Sequence, residues 1–321
     1  MKATAQAHPN IALAKYWGKA PGPANAPAVP SLSVTLAGLT TVTSVELDRS
    51  LPADRLTING RDEDATRVTS LLDRVRREAG ETTRARIVTT NDFPTSAGLA
   101  SSASGFAALA VAARAALGLP FDPTRASDLA RRTSASSARS LFGGFVELDA
   151  GDGTDRDLPA REVAPAEHLD LRVVVAVTTE APKDESSTSG MNTTSAHSPY
   201  YAAWLEHAPR LYEEVRRALL ARDLDALGAA AEASALAMHA SAIAAGVVYF
   251  RGATVDALAE VRRIRASGTS AYATIDAGPH VKTLVRAADA QAVAARLAAV
   301  PGVLRVLVAA PGPGASLVAD R

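Results

Sequence analysis

An α+β protein is expected from three features of the sequence. Strand-like runs crowd the first third of the chain, long Ala-rich helices enter after them, and the C-terminal part mixes helices with short strands that do not repeat as βαβ units. At 321 residues the chain can bury a large core, in one big domain or two moderate ones.

The elements follow from alternation, helical periodicity and the turn residues that bound them. Strands are expected at 9–17, 31–38 and 40–48, and the run RLTING ends a fourth at the Asn59-Gly60 turn. Residues 20–30, APGPANAPAVP, form a loop. An amphipathic helix over 64–79 precedes a strand at 84–92, and an Ala-rich helix over 100–117 stops at Gly118-Leu119-Pro120. Residues 123–133 form another helix; TSASSARSLFGG then interrupts the periodicity, FVELDA (145–150) resumes as a strand, and 151–170 is polar and rich in turn residues. RVVVAVTTE, 172–180, is the most strand-like run in the chain, and the domain boundary is set just after it, giving lobes over 1–182 and 183–321. APKDESSTSG reads as a loop between the lobes. Helices at 198–221, 224–244 and 253–266, strands AYATID and VKTLVR, a helix at 288–299 and the strand VLRVLVAA follow, with Pro311-Gly312-Pro313-Gly314 as a turn.

Composition narrows the function classes. Lys+Arg and Asp+Glu are both 34, so no whole-molecule field attracts nucleic acid or an anionic membrane, and an anionic ligand must be held by local charge. The chain has no cysteine, which excludes disulfides, thiolate zinc sites and cysteine nucleophiles, and its six histidines lack metal-ligand spacing. No apolar run is long enough to span a bilayer, and Lys15 interrupts the one near the N-terminus, so a soluble cytoplasmic protein is expected.

Local signals for anion chemistry are present. Pro94-Thr95-Ser96-Ala97-Gly98-Leu99-Ala100-Ser101-Ser102-Ala103-Ser104 lies between a strand and an Ala-rich helix. There, small residues let backbone approach a phosphate, and first-turn N–H groups lack helical acceptors. It is not a Walker loop. A serine-capped helix entry accounts for it equally well. Ser134-Ala135-Ser136-Ser137-Ala138-Arg139-Ser140 combines capping serines with a guanidinium that grips a carboxylate or phosphate bidentately, although an ordinary capped turn reads the same way. Asp276, in Ile275-Asp276-Ala277-Gly278-Pro279, is a carboxylate at a strand end; a neighbouring cation there would keep it ionised. AHPNIALAKYWGK (7–19) places Lys15 and Lys19 in an otherwise apolar strand, where a core element has no use for ammonium groups. Met238-His239 reads as a packed core pair.

AHPNIALAKYWGK, PTSAGLASSASGFAALA, SSARSLFGGFVE, SSTSGM, MHAS and YATIDAGPHVK together resemble the diphosphomevalonate decarboxylase family over nearly the full length of the chain. The Gly/Ser loop alone suggests only the wider superfamily of galactokinase, homoserine kinase, mevalonate kinase and phosphomevalonate kinase. The resemblance implies an N-terminal lobe like ribosomal protein S5 domain 2, a ferredoxin-like C-terminal lobe, and an active site in the cleft between them. It further implies ATP and Mg2+ as cofactors, a phosphorylated mevalonate as substrate, and a homodimer with neither nucleic-acid nor membrane partners. The reaction implied is phosphorylation of a tertiary 3-hydroxyl, followed by loss of phosphate and carbon dioxide to give isopentenyl diphosphate. By the same resemblance Ala97, Gly98, Leu99, Ala100, Ser101, Ser102 and Ser104 hold the ATP phosphates, with Ser102 nearest the metal. Asp276 orients or deprotonates the hydroxyl, and Arg139 holds the substrate carboxylate. Tyr16, Lys19, Ser134 and Ser136 bind the phosphate tail, with Lys19 counted among the catalytic groups. Ser187, Met191 and Ala277 line the substrate site, and the role of Lys15 is left open. Thr133 and Ala135 stand where the family pattern has glycine, so the same chemistry on a monophosphate remains open, as do a kinase that stops at the 3-phosphate and a metabolite-binding protein without turnover.

Overall fold

The computed structural model describes residues 1–22, 24–93, 101–181 and 184–319. Its elements run β1 (Lys2–Ala7), β2 (Asn10–Ala14), β3 (Ser31–Thr35), β4 (Thr41–Leu47), β5 (Arg55–Ile58), β6 (Arg61–Glu63), α1 (Thr66–Ala79), β7 (Ala85–Asn91), α2 (Ser101–Ala116) and α3 (Pro123–Thr133). After a 3₁₀ turn at Ala135–Leu141 come β8 (Phe145–Leu148), β9 (Arg161–Ala164), β10 (Leu171–Val177), α4 (Ser187–His197), α5 (Tyr201–Leu220), α6 (Leu224–Ala244), α7 (Gly252–Ala266), β11 (Ala271–Thr274), β12 (Val281–Arg286), α8 (Ala290–Ala298), β13 (Arg305–Ala309) and β14 (Ser316–Val318). Helices and strands are mixed without βαβ repetition, as the sequence predicts.

Three sheets organise the chain, in the orders β14-β1-β4-β7-β5-β6, β2-β3-β8-β9 and β11-β12-β10-β13. All their pairings are antiparallel except β5 with β7. The β5–β6 hairpin turns at Asn59 and Gly60, both at positive φ (48° and 79°), the conformation that an Asn-Gly pair adopts most readily. α1 and α2 close one face of the first sheet through Leu71, Leu72, Val75, Ala107 and Val111. A second core joins the lobes: Leu13, Leu32 and Val34 of the second sheet meet Val173, Val175 and Leu284 of the third, with Val215 and Leu227 from α5 and α6. α7 and α8 cover the opposite face of the third sheet.

Two sequence expectations change here. β10 pairs with β12 and β13, so residues 171–177, assigned to the N-terminal lobe by the boundary at 182, belong to the sheet of the C-terminal lobe. Its unbroken Val run is what a central strand needs when both faces are buried. Pro311-Gly312-Pro313-Gly314 is a return strap rather than a turn. Gly312 N donates to Thr35 O at 2.8 Å and Gly144 N to Gly312 O at 2.9 Å, carrying the chain back to pair β14 with β1. A Cβ at Gly312 would lie 2.4 Å from Ala37 N, and one at Gly314 2.5 Å from Leu141 O, so glycine is what lets the backbones approach.

Candidate active site

β2 is buried along its whole length and ends where the chain must leave the core. Lys15 does not escape to solvent at that point. Its Nζ donates to Ala12 O at 2.9 Å and pairs with Asp276 Oδ1 at 2.6 Å, while its backbone N–H is taken by Ser234 Oγ at 2.9 Å. Thr274 Oγ1 donates to the same Ala12 carbonyl at 3.1 Å, so the end of β2 is fastened to the end of β11. Gly18, at φ +105°, then turns the chain past Tyr201, whose Oη would sit 2.0 Å from any Cβ there.

Asp276 follows β11 and is held from both sides, by Lys15 on Oδ1 and by Lys282 of β12 at 3.2 Å from Oδ2. Burial alone would push its carboxyl up, but the two ammonium groups outweigh that and hold it well below the usual carboxylate range. Burial, with the nearby charges of Lys282 and Arg139, brings the Lys15 ammonium down to about 8 despite the opposing pull of Asp276. His239 of α6 approaches the Ile275 carbonyl at 3.3 Å and is kept neutral by burial and by the same lysines, its pKa lowered to about 3.

Arg139 sits in the 3₁₀ turn and is almost fully buried. Ser33 and Ser31, two residues apart on one face of β3, accept from its Nε at 3.0 Å and its Nη1 at 2.6 Å. Burial lowers its pKa to about 10, which still leaves it protonated at neutral pH, with Asp276 and Tyr16 pulling the other way. Asn10 braces the turn by donating to Ser136 O at 3.0 Å and Ser140 Oγ at 2.8 Å.

Three cavities share Ser102, the second residue of α2, in their walls. The smallest, about 120 Å³, is lined by Lys15, Tyr16, Arg139, Met191, Asp276 and Ala277, among others. A second of about 760 Å³ carries Tyr16, Lys19, Arg67, Arg132, Ser134 and Ser136 in its wall, and a third of about 390 Å³ runs over Leu56, Val68 and Phe106 beside Arg67. Ser187 and Met191 separate the first two cavities, appearing in both walls. Among the described residues, neither Lys19 nor Arg67 has a carboxylate within ion-pair distance. The pKa of Lys19 is lowered by burial and by the Arg67 charge. A large cavity with uncompensated cations is suited to a multiply charged anion.

The residues singled out in sequence therefore divide. Tyr16, Ser136, Arg139, Ser187, Met191, Asp276 and Ala277 meet around the small cavity with Ser102, and Lys19 and Ser134 line the large one. Lys19, counted among the catalytic groups, does not line the cavity of Asp276 and Arg139; Lys15, whose role the sequence left open, does, because burial of β2 carries its side chain inward. Ser101 lines the third cavity. Ser104 is fully buried and shares a hydrogen bond with Thr41 Oγ1 at 2.7 Å, so its hydroxyl serves the junction of α2 with β4 and not a phosphate. Ala97, Gly98, Leu99 and Ala100 lie outside the described residues. The interlobe segment read as a loop becomes α4 at Ser187, capped by Ser186 Oγ, which accepts from Ser189 N at 3.0 Å. Lys282, Ser31, Ser33, Asn10 and Arg67 escaped the sequence reading; a lysine and paired serines inside otherwise apolar strands were the signal available.

Comparison with known proteins gives the same picture. Residues 7–160 match the diphosphomevalonate decarboxylase-like N-terminal domain and residues 173–304 the mevalonate 5-diphosphate decarboxylase C-terminal domain. The diphosphomevalonate decarboxylase of Candida albicans is 36% identical over 291 residues, covering 84% of this chain and 80% of that protein. A solved structure of MDDEF in complex with MVAPP, AMPPCP and magnesium superposes with a TM-score of 0.92 at 36% identity, covering 100% of this chain and 99% of that one. The mevalonate diphosphate decarboxylase of Enterococcus faecalis superposes at 0.91, also at 36% identity, with 100% and 99% covered. With both lobes matched in order and the cation-ringed carboxylate in the cleft between them, the chain belongs to the diphosphomevalonate decarboxylase family.

Proposed function

We propose that the chain catalyses the ATP-dependent decarboxylation of (R)-5-diphosphomevalonate to isopentenyl diphosphate, ADP, phosphate and carbon dioxide. The observation that carries this reading is the ionised Asp276, gripped by Lys15 and facing the same small cavity as Arg139.

The chemistry follows from those groups. A tertiary hydroxide is a poor leaving group, and transfer of the γ-phosphoryl group to the 3-hydroxyl oxygen, with the bond to ADP broken and the hydroxyl proton released to solvent, makes it a good one. The C–O bond then breaks toward phosphate while the electrons of the bond to the carboxylate become the new double bond and carbon dioxide departs. Asp276, with its proton affinity suppressed by two ammonium groups, is a weak base. Its contribution is to accept the hydroxyl hydrogen bond and hold the oxygen in line, which suits a loose phosphoryl-transfer transition state. Arg139, fixed by two serines, orients the substrate carboxylate, and Lys19, Arg67, Tyr16, Ser134 and Ser136 receive the diphosphate. The third cavity, which Arg67 shares with the second, suits the nucleotide, with its phosphates toward Ser102.

The Ser102 hydroxyl would fit a magnesium ion that arrives with the nucleotide phosphates, and among the described residues no group of three or more His, Cys, Asp or Glu is arranged to hold a metal ion by itself. Mg2+ there supplies neutralisation of phosphate charge. Release of carbon dioxide and ADP, measured against mevalonate, its 5-phosphate and its 5-diphosphate, tests the proposal. Equal release of both products on the diphosphate is expected, and ADP without carbon dioxide would make the enzyme a kinase.

A further inference from the structure

The second cation on Asp276 does not come from the cavity. Lys15 and Asp276 line the 120 Å³ space, whereas Lys282 stands behind it in β12, opposite Thr274 of β11 and Val175 of β10, with its side chain wholly buried. It shares a sheet face with Leu284, inside the core that joins the lobes. Taking an ammonium this far from water is costly, and an unbranched apolar side chain would fill the same position without that cost. Packing alone does not call for a lysine there. The charged and titratable groups around the carboxylate are Lys15 from the end of β2, Lys282 from β12, Arg139 from the 3₁₀ turn and neutral His239 from α6.

We infer that Lys282 is a positioning residue: paired by charge with Oδ2 at 3.2 Å from behind the cavity, it orients the Asp276 carboxylate and sets the charge that Lys15 feels. The inference rests on the reading of Asp276 as the group that meets the substrate hydroxyl. Oδ2 is buried and makes no hydrogen bond, with the Lys282 ammonium 3.2 Å away as an ion pair, and Oδ1 is the oxygen on the side of Lys15, which lines the cavity. A like charge behind the carboxylate also makes Lys15 easier to deprotonate, and its removal must raise the Lys15 midpoint.

The sequence contains five lysines, Lys2, Lys15, Lys19, Lys183 and Lys282, so selective labelling at Cε gives a spectrum of few signals in which Lys15 is assigned by its loss in Lys15→Arg. In Lys282→Met the Lys15 midpoint is expected to rise by about one pH unit or more, and kcat to fall at least about tenfold while KM for the diphosphate changes less than about threefold. Lys282→Arg, which keeps the charge, should hold the midpoint near the wild-type value. Lys282→Gln provides the uncharged comparison if Lys282→Met does not fold. An unmoved or lowered Lys15 midpoint in a folded uncharged variant, or an unchanged kcat, overturns the inference. If the wild-type chain releases no carbon dioxide, the proposed reaction fails instead, and the Lys15 titration still decides whether Lys282 governs the charge at Asp276.

Discussion

Lys15 Nζ and Asp276 Oδ1 meet at 2.6 Å although 261 residues separate them, one at the end of a strand of the N-terminal lobe and the other after a strand of the C-terminal lobe. The reacting end of the cleft thus exists only when the two lobes are docked, and the pair is a direct probe of the proposed chemistry.

Asp276→Asn keeps the size of the side chain and removes its charge. Turnover is expected to fall at least about a thousandfold, with ATP and substrate affinities within a few-fold, because the neutral amide loses its charge pairing with Lys15 and Lys282 and accepts the hydroxyl hydrogen bond much more weakly. Steady-state kinetics together with calorimetric titration of substrate measure both quantities; retained turnover would take Asp276 out of the mechanism.

Above about pH 8 Lys15 loses its proton, and the cation that grips Oδ1 disappears. The expected kcat profile falls on the alkaline side with a midpoint near that value, and Lys15→Met should abolish this limb along with most of the activity. Stability moves the other way. Since the folded midpoint lies below the ordinary lysine value of 10.5, the unfolded chain binds more protons between the two, and the Lys15 contribution to stability rises with pH across that window. Thermal melts of wild type and Lys15→Met from pH 7 to 10 should diverge in that sense.

Arg139→Lys preserves a positive charge but not the planar fork that reaches Ser31 and Ser33 together. A loss of kcat/KM of about a hundredfold or more is expected; kinetics close to wild type would show that the guanidinium geometry is irrelevant.

Ser102→Ala should impair magnesium-dependent phosphoryl transfer more than ADP binding, because a hydroxyl where the three cavities meet matters most while charge is moving between phosphates. Single-turnover rates and ADP titrations compare the two, and equal losses would reduce Ser102 to a general contact.

The specificity prediction concerns Thr133 and Ala135. Both line the large cavity, and Ala135 is itself buried, yet Lys19 and Arg67 remain without carboxylate partners among the described residues. The diphosphate should be preferred over the monophosphate by at least about tenfold in kcat/KM, roughly 1.4 kcal/mol. Equal values would assign the monophosphate, and Ala135→Gly should then move the ratio toward the diphosphate if crowding is the cause.

Much of this was legible in sequence because long periodic segments and glycine-bounded turns are local signals: α1, α3, α5, α6 and α7 lie within a few residues of their expected ends. Elements without that signature were lost. β1 is KATAQA, whose inward residues are small; α4 is STSGMNTTSAH, with little apolar periodicity; β9 and β14 are short edge strands recruited by their neighbours. In the site, Asp276 and Arg139 carried recognisable neighbourhoods. Lys282 closes the same YATIDAGPHVK motif but received no role, since a lysine in VKTLVR reads as the solvent side of an alternating strand unless both faces are known to be covered. Lys15 and Lys19 are four residues apart in sequence but line different cavities, with the positive-φ turn at Gly18 between them.

The return of β14 to the edge of β1 has a topological meaning. The second lobe is an excursion from the first, leaving it after β9 and rejoining it at the Gly-Pro strap, so two covalent tethers cross between them. A single cut between the lobes would strand part of the first sheet with the wrong fragment. On the ribosome, β1 must wait with one edge unpaired until β14 has emerged, and the same double tether denies the lobes the freedom to swivel about a single strand.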